Sequence, residues 1–173
     1  MDKEIERLIN SYGNEVLKIA YIYLKDRHLA EDIFQEVFVK VYKNYEKFRG
    51  KSSEKTWILT ITINTCKDAL RSSWLKKVFM FKDAEKDTID ALPSVEELEN
   101  SVIKQIQHKQ LLTHIMNLPS KYKEIILLYY YEHMSTFEIS KILKIPEGTV
   151  RSRLFRAREI LKYDIDGKIE YEG

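Results

Sequence analysis

Arg151, Ser152, Arg153, Phe155 and Arg156 fall within one short run, Gly-Thr-Val-Arg-Ser-Arg-Leu-Phe-Arg-Ala-Arg. Residues of these types at this spacing can read DNA. An arginine can grip guanine O6 and N7 with two hydrogen bonds in the major groove, and a phenylalanine can pack on a thymine methyl. A serine hydroxyl can bond a base edge or a phosphate. Gly148 and Thr149 stand where backbone N–H groups at a helix start would suit a phosphate. At about 100° per residue, Val150, Leu154, Ala157 and Leu161 share an arc of about 60°, which predicts one buried stripe. Ser152, Phe155, Arg156 and Glu159 then point away from it, with Arg151 and Arg158 on one flank and Arg153 on the other. A solvated surface helix with one stray aromatic, or a protein-docking face, shares the polar outline. The turn, the cap and the arginine density together favour DNA.

The elements that must position this helix are legible upstream of it. Ser135-Thr136-Phe137-Glu138 has the form of a capping box, in which hydroxyl and carboxylate satisfy free backbone N–H groups. It predicts a short helix to Leu143. Lys144-Ile145-Pro146 turns the chain, and a last helix runs from Glu147 to about Leu161. Short helix, tight turn and longer helix have the dimensions of a helix-turn-helix. Before it, Leu118-Pro119-Ser120 separates two further helices, one ending near Met116 and one running to about Glu132. A capping box at Ser94-Val95-Glu96-Glu97 opens the first of these. Residues 76–93 lose periodicity and turn acidic, as an interdomain linker would; fully extended they would span about 60 Å.

The N-terminal half carries its own pattern. Ile5, Leu8, Ile9, Tyr12, Val16, Ile19, Ala20 and Tyr23 predict an amphipathic helix over 5–24. Asp26-Arg27-His28 breaks it. Ala30, Ile33, Phe34, Val37, Phe38, Val41 and Tyr42 form one continuous apolar stripe on a second helix. Its other face holds Glu31, Asp32, Gln35, Glu36 and Lys40. Residues 47–55 are polar, contain Gly50 and read as a loop. The segment from Thr56 to Leu70 is rich in β-branched residues, and Thr60-Ile61-Thr62-Ile63 alternates as a strand does. There is no second strand candidate to pair with it, and a lone strand is not stable. A helix is therefore expected, with Trp57, Ile58, Ile61, Thr65 and Ala69 on one side and Trp57 packed in the core.

Composition agrees with an all-α chain. The 173 residues include 5 Gly and 3 Pro, far below the usual ~12%. The hydrophobic share of 44% is too high for a disordered chain. No stretch approaches the ~18 apolar residues of a membrane span, and MDKEIERLIN lacks an apolar signal region; a cytoplasmic protein is expected. Cys66, the single cysteine, excludes an internal disulfide and is expected to pack between helices. His28, His108, His114 and His133 lack metal-ligand spacing with it, and no glycine-rich phosphate loop occurs. Neither an enzyme nor a cofactor is expected. The net charge of +2 hides blocks: residues 47–77 hold 8 basic and 2 acidic groups, 78–102 hold 2 and 7, and 144–162 hold 6 and 2. Two basic blocks around an acidic one suggest two places where a polyanion binds.

The run PEGTVRSRLFRAREILK, with LPSKYKEIILLYYYEHMSTFEISKIL before it, resembles the C-terminal domain of extracytoplasmic-function sigma factors. AEDIFQEVFVKVY and FRGKSSEKTWILTITINTCKDALR resemble their N-terminal domain. The resemblance implies two small helical domains, one sigma-2-like over 1–77 and one sigma-4-like over 94–165, joined by a flexible acidic linker at 78–93 and followed by a tail at 166–173. It implies a transcription initiation factor that binds core RNA polymerase, at its clamp helices and flap, and promoter DNA. Asp32, Gln35 and Glu36 match the polymerase-docking surface. Arg49, Lys51, Ser52 and Asn64 match the part that holds an extruded base of the −10 element, and Lys67, Arg71, Lys76 and Lys77 match phosphate contacts. Thr149, Arg151, Ser152, Arg153, Phe155 and Arg156 match the −35 recognition helix. Thr60 and Thr62 depart from the larger or basic residues common there. An anti-sigma factor, often membrane-anchored in the family, is the further partner implied, with no membrane insertion of this chain. A helix-turn-helix regulator that binds DNA alone is the competing reading.

Overall fold

A computed structural model describes residues 1–72 and 102–169, with side chains described for 1–72 and 109–165. The chain divides into two compact units, Met1–Asp87 and Thr88–Gly173. The expected linker, the capping box at Ser94, Lys76, Lys77 and the last residues of the expected tail lie outside the described residues. Among the described residues every regular element is helical.

The first unit contains α1 (Asp2–Leu24), α2 (Arg27–Asn44), a 3₁₀ turn (Tyr45–Lys47) and α3 (Glu54–Arg71). α1 starts three residues earlier than its apolar pattern does, because Asp2 and Glu4 suit the positive end of the helix dipole. It stops at Lys25, which takes a left-handed conformation (φ 55°) and donates its N–H to the Tyr21 carbonyl at 2.7 Å. Asp26 follows as the N-cap of α2, its carboxylate accepting from the Leu29 N–H at 3.0 Å. The two helices approach closely at Gly13, where a Cβ would meet the Phe34 ring at 3.2 Å. Leu8, Val16, Ile19 and Leu24 of α1, Ala30, Ile33, Val37 and Val41 of α2, and Ile58, Leu59 and Ile63 of α3 form the core.

Two expectations on these helices are corrected. Tyr42 ends the stripe of α2 in solvent, 48% exposed, although Val41 beside it is fully buried. Lys40 is not on a free solvent face: its Nζ donates to the Thr65 hydroxyl of α3 at 3.1 Å and pairs with Glu36 at 2.7 Å. The β-branched segment is helical, and its threonines show how. Thr60, Thr62 and Thr65 each donate their hydroxyl to the carbonyl four residues back, at 2.7, 2.9 and 2.8 Å. Satisfied in this way, Thr62 and Thr65 are buried at no cost in lost hydrogen bonds. The buried side of α3 is Ile58, Leu59, Thr62, Ile63, Thr65 and Cys66, while Trp57, Ile61 and Ala69 are half-buried. Apolar residues cover about two-thirds of the circumference of this helix, so periodicity alone turned it by about a quarter of a turn.

The second unit contains α4 (Val102–Asn117), α5 (Ser120–Ile126), which continues as a π-turn through Leu127–Tyr131, α6 (Thr136–Leu143) and α7 (Glu147–Ile169). The π-turn closes on wide bonds, Glu132 N–H to the Leu127 carbonyl at 3.1 Å and Met134 N–H to the Leu128 carbonyl at 3.0 Å. Ile115, Ile125, Leu127, Leu128, Ile139, Ile142, Val150, Leu154 and Ala157 are buried together. α7 outruns its expected end at Leu161 by eight residues. Its apolar stripe ends there, but no proline follows, and His114 of α4 lies 3.9 Å from Asp164.

Cys66 is fully buried. Burial, with the nearby charge of Glu36, pushes its thiol up to about 12 from about 9. A thiol of this kind is a poor nucleophile. It should stay unlabelled by a thiol reagent at about pH 8.5 in the native protein and react quickly in denaturant; fast native labelling would place it outside the core. The raised value also sets a sign. Between pH 9 and 12 the unfolded chain releases this proton and the folded chain keeps it, so the contribution of Cys66 to stability falls as pH rises. Subtracting the profile of Cys66→Ala separates this loss from that of the tyrosines and lysines.

Candidate nucleic-acid interface

α7 owes its position to how α6 begins and ends. At the start, the capping box is complete: Ser135 Oγ accepts from the Glu138 N–H at 3.1 Å, and the Glu138 carboxylate accepts from the Ser135 N–H at 2.8 Å. At the end, Lys144 takes a left-handed conformation (φ 54°) and Ile145 donates to the Ser140 carbonyl at 3.2 Å. The Pro146 carbonyl then accepts from the Thr149 and Val150 N–H groups at 3.0 and 3.1 Å, which starts α7. The Thr149 N–H is therefore not offered to a phosphate as the sequence suggested; it is spent inside the first turn.

Val150, Leu154 and Ala157 are buried, as the projection requires, and Leu161 is half-buried. Arg151, Ser152, Phe155 and Arg156 come together on the open face, with Phe155 62% exposed. Arg153 is half-buried on the opposite edge, and Thr149 is half-buried. Ser152 donates to the Thr149 carbonyl at 3.0 Å, which leaves its oxygen free to accept. Arg151 pairs with Glu147 at 2.7 Å and Arg156 with Glu159 at 3.4 Å. Such exposed pairs are weak and exchange readily for a stronger anion. Arg158 turns away: its Nε donates to the Tyr130 hydroxyl at 2.6 Å, and its guanidinium lies over the Tyr129 and Tyr130 rings at 5.6 and 5.5 Å. Thr136 adds a contact the sequence did not suggest, donating its hydroxyl to Glu147 at 2.7 Å.

In the first unit the loop between the 3₁₀ turn and α3 is pinned at both feet. Phe48 stacks on Trp57 with ring centroids 4.8 Å apart and planes at 25°, and Tyr45 tilts against the same indole. Trp57 is thus half-buried under an aromatic lid rather than in the core. At the other foot Ser53 caps the Thr56 N–H at 3.0 Å. Glu54 takes both terminal nitrogens of Arg7 from α1, at 2.7 and 3.1 Å, while Arg7 Nε pairs with Glu4 at 3.0 Å. Between the feet Arg49, Lys51 and Ser52 are exposed, and Gly50 supplies the positive φ (65°) that the turn needs.

Asn64 and Arg71 are exposed on α3 and Lys67 is half-buried. With Trp57 and Thr60 they share one stripe, aromatic at the loop end and basic at the far end, the combination that suits an unstacked strand. Thr62 is on the buried side, so only Thr60 of the two departing threonines faces this stripe. On α2, Asp32, Gln35 and Glu36 are all exposed, and Val39 (51% exposed) and Tyr42 add an apolar component not expected from sequence. No group of three or more His, Cys, Asp or Glu among the described residues could hold a metal. No helix among them is long and apolar enough to cross a membrane.

Comparison with known proteins gives this arrangement its family. Residues 8–76 match Sigma-70 region 2 and residues 108–161 match Sigma-70, region 4. The chain is 32% identical over 162 residues to the ECF RNA polymerase sigma factor SigW of Bacillus subtilis, covering 90% of this chain and 85% of that protein. The chain belongs to the ECF RNA polymerase sigma factors. The ECF RNA polymerase sigma-E factor of Haemophilus influenzae is 34% identical, with 94% of this chain and 88% of the relative covered. Solved structures agree on the fold. The sigma factor RpoE of Bartonella quintana, in complex with the anti-sigma factor NepR, superposes with a TM-score of 0.71 at 21% identity, covering 95% of this chain and 98% of that one. CnrH, in complex with the cytosolic domain of CnrY, gives 0.69 at 17%, covering 96% and 90%. This sigma factor thus acts in transcription initiation by RNA polymerase. Its region 2 match spans α1 to α3, and its region 4 match spans the π-turn and the helix-turn-helix.

The sigma factor's loop should loosen when its ionic foot is cut. Glu54→Ala removes the partner of Arg7 without touching the core. Tryptic cleavage after Arg49 and Lys51 is expected to speed up several-fold while far-UV circular dichroism is unchanged. Equal cleavage rates in the two proteins would show that Phe48, Trp57 and Ser53 hold the loop without the ion pair.

Proposed function

We propose that this sigma factor reads its promoter at two places, each with the residues assembled above. The open face of α7 reads the −35 element as duplex: Arg151 and Arg156 address guanine edges or phosphates, Phe155 packs on a thymine methyl, and Ser152 accepts from a base edge. Arg153 and Thr149, at the margins of that face, serve the backbone. The loop Arg49, Lys51 and Ser52 together with Asn64 receives an unstacked base of the −10 element, and Lys67 and Arg71 follow its phosphates. Asp32, Gln35 and Glu36 dock on the polymerase clamp helices, with the second unit on the flap. The protein acts by binding rather than by catalysis, in the cytoplasm with the polymerase.

The observation that carries the −35 assignment is the joint exposure of Arg151, Ser152, Phe155 and Arg156 on a helix whose other side is buried. A large exposed aromatic beside two arginines has no packing role among the described residues. An anti-sigma factor is the second protein partner proposed. The similar sigma factor RpoE was solved with the anti-sigma factor NepR, and CnrH with the cytosolic domain of CnrY. A membrane-anchored partner of this kind would cover the polymerase-docking and DNA-reading faces until released.

Arg156→Ala should cost roughly 1–3 kcal/mol of holoenzyme affinity at one base pair of the −35 element and relax the preference there. Unchanged preference at every position would remove Arg156 from the reading face. Changing Gln35 and Glu36 together to Ala should weaken co-elution with core polymerase and leave helical content intact, because both side chains are exposed. Purified wild-type protein that bound promoter DNA tightly and specifically without core enzyme would favour a stand-alone regulator instead.

A further inference from the structure

We propose that Glu147 is a positioning residue for promoter recognition: held by Thr136 of the preceding helix, it fixes the direction in which Arg151 meets the −35 element. This rests on the assignment of α7 as the −35 reader. A single oxygen, Glu147 Oε1, accepts from Thr136 Oγ1 at 2.7 Å and from Arg151 Nη2 at 2.7 Å. Thr136 and Glu147 are 11 positions apart and belong to different helices of the motif.

An ion pair between residues four apart on an exposed helix face is a weak constraint by itself. Arg151 is well exposed, and a free arginine loses much rotamer entropy when it is ordered on a base. The third member changes this. Thr136 is the first residue of α6, directly after the Ser135 cap, so the capping box already holds its backbone. Glu147 is half-buried beneath it, and Pro146 starts its helix. The Thr136 hydroxyl, with the charge and hydrogen bond of Arg151, holds the Glu147 carboxyl below the usual glutamate range against the opposing effect of partial burial. The carboxylate is therefore a fixed, charged anchor rather than a mobile counter-ion.

The geometry also leaves Arg151 competent. Nη2 donates to Glu147, and the rest of the guanidinium fork remains available for the two parallel bonds that guanine or a phosphate accepts. Pre-ordering an arginine reduces the entropy lost on binding and raises the penalty for a wrong base, because a fixed fork cannot reorient to suit it. Arg156 pairs along its own helix with Glu159 at 3.4 Å, and among the described residues no second helix anchors it. The two arginines therefore differ in kind: one is held from outside its own helix and the other is tied only along it.

The test uses holoenzyme reconstituted from core polymerase and the full chain. A duplex library randomised across the −35 element yields the selected sequence and its single-base variants. Discrimination at each position is then measured for wild type, R151A, E147A, E147Q, T136V, T136S and the double variant R151A/E147A, each checked by thermal melting. R151A should lose discrimination at one position. E147A should lose about 3- to 10-fold at that same position, T136V less, and T136S should match wild type. E147Q, which keeps an oxygen for Thr136 but no charge, should fall between wild type and E147A. The double variant should be no worse than R151A. If E147A keeps full discrimination while R151A loses it, the positioning role is wrong and the −35 assignment stands. A double variant with additive losses would mean that Glu147 reads a base itself, as a carboxylate can at cytosine N4, and would also overturn the role. If R151A has no effect at any position, the assignment of Arg151 to the reading face fails first.

Discussion

Where α6 stops decides what α7 can present. A helix continues until something removes its next hydrogen bond or reverses its backbone, and this chain has few residues of the kinds that do so. Its 5 glycines and 3 prolines leave most helix ends to other side chains. Lys25, His133 and Lys144 take the left-handed conformation that glycine usually takes. For an L-residue with a Cβ this costs about 1–2 kcal/mol. At Lys144 the cost is offset by what the turn achieves. Ile142 and Leu143 on one side and Val150 on the other are brought into one core, and Pro146 launches α7 at once. If α6 were one residue longer, every side chain of α7 would rotate by about 100° relative to the scaffold. Arg151, Phe155 and Arg156 keep their spacing on α7 and would turn away from the open face together.

The same logic of internal satisfaction governs α3. Its sequence favours a strand locally, and a strand would need a partner that the chain does not supply. As a helix it must bury threonines, and each buried hydroxyl must find an acceptor. The carbonyl one turn back provides it for Thr62 and Thr65. This frees the opposite side of α3 from any packing duty. Asn64, Lys67 and Arg71 can therefore line an open face without weakening the core, and the loop before α3 can be anchored by contacts at its feet alone.

Sequence reading succeeded where the physics is local and failed where it is not. The capping box at Ser135 and Glu138 involves neighbours three residues apart, and the stripe of α7 is set by a period of about 3.6 residues; both were legible. So were the exposed carboxylates of α2. The face of α3 was misjudged because apolar residues cover most of that helix, so that its neighbours decide which of them are buried. The exposure of Tyr42 and the hydrogen bond from Lys40 to Thr65 likewise depend on how adjacent helices pack. Arg7 and Glu54 are 47 positions apart, and no pattern within either helix announces their pairing. The π-turn after Ile126 has no composition signal at all. Thr136 and Glu147 fall between these cases: each is ordinary in its own helix, and their meeting follows only from the angle that Lys144 and Pro146 set.

Charge shows how local and global constraints combine. The basic blocks at 47–77 and 144–162 are not uniform fields, because the structure pairs several of their members with carboxylates. Arg151, Arg156 and Arg71 each have an acidic neighbour on their own helix, the last at 4.0 Å from Asp68. Loose cations on a flexible surface would bind any polyanion, with an affinity set by salt alone. Pairing lowers that nonspecific attraction, since each neighbour must be displaced or shared before a phosphate is gained. It costs little when a correctly shaped base edge is offered, because exposed pairs are weak. A sigma factor needs this balance. It must be carried to DNA by the polymerase rather than titrated by the bulk of the chromosome, and its own contacts must add selectivity once it arrives. Basic blocks whose arginines are ordered by acidic neighbours meet that requirement better than loose cations do, and the acidic groups of 78–102 bring the total charge to +2 without removing the basic character of the two proposed DNA-facing surfaces.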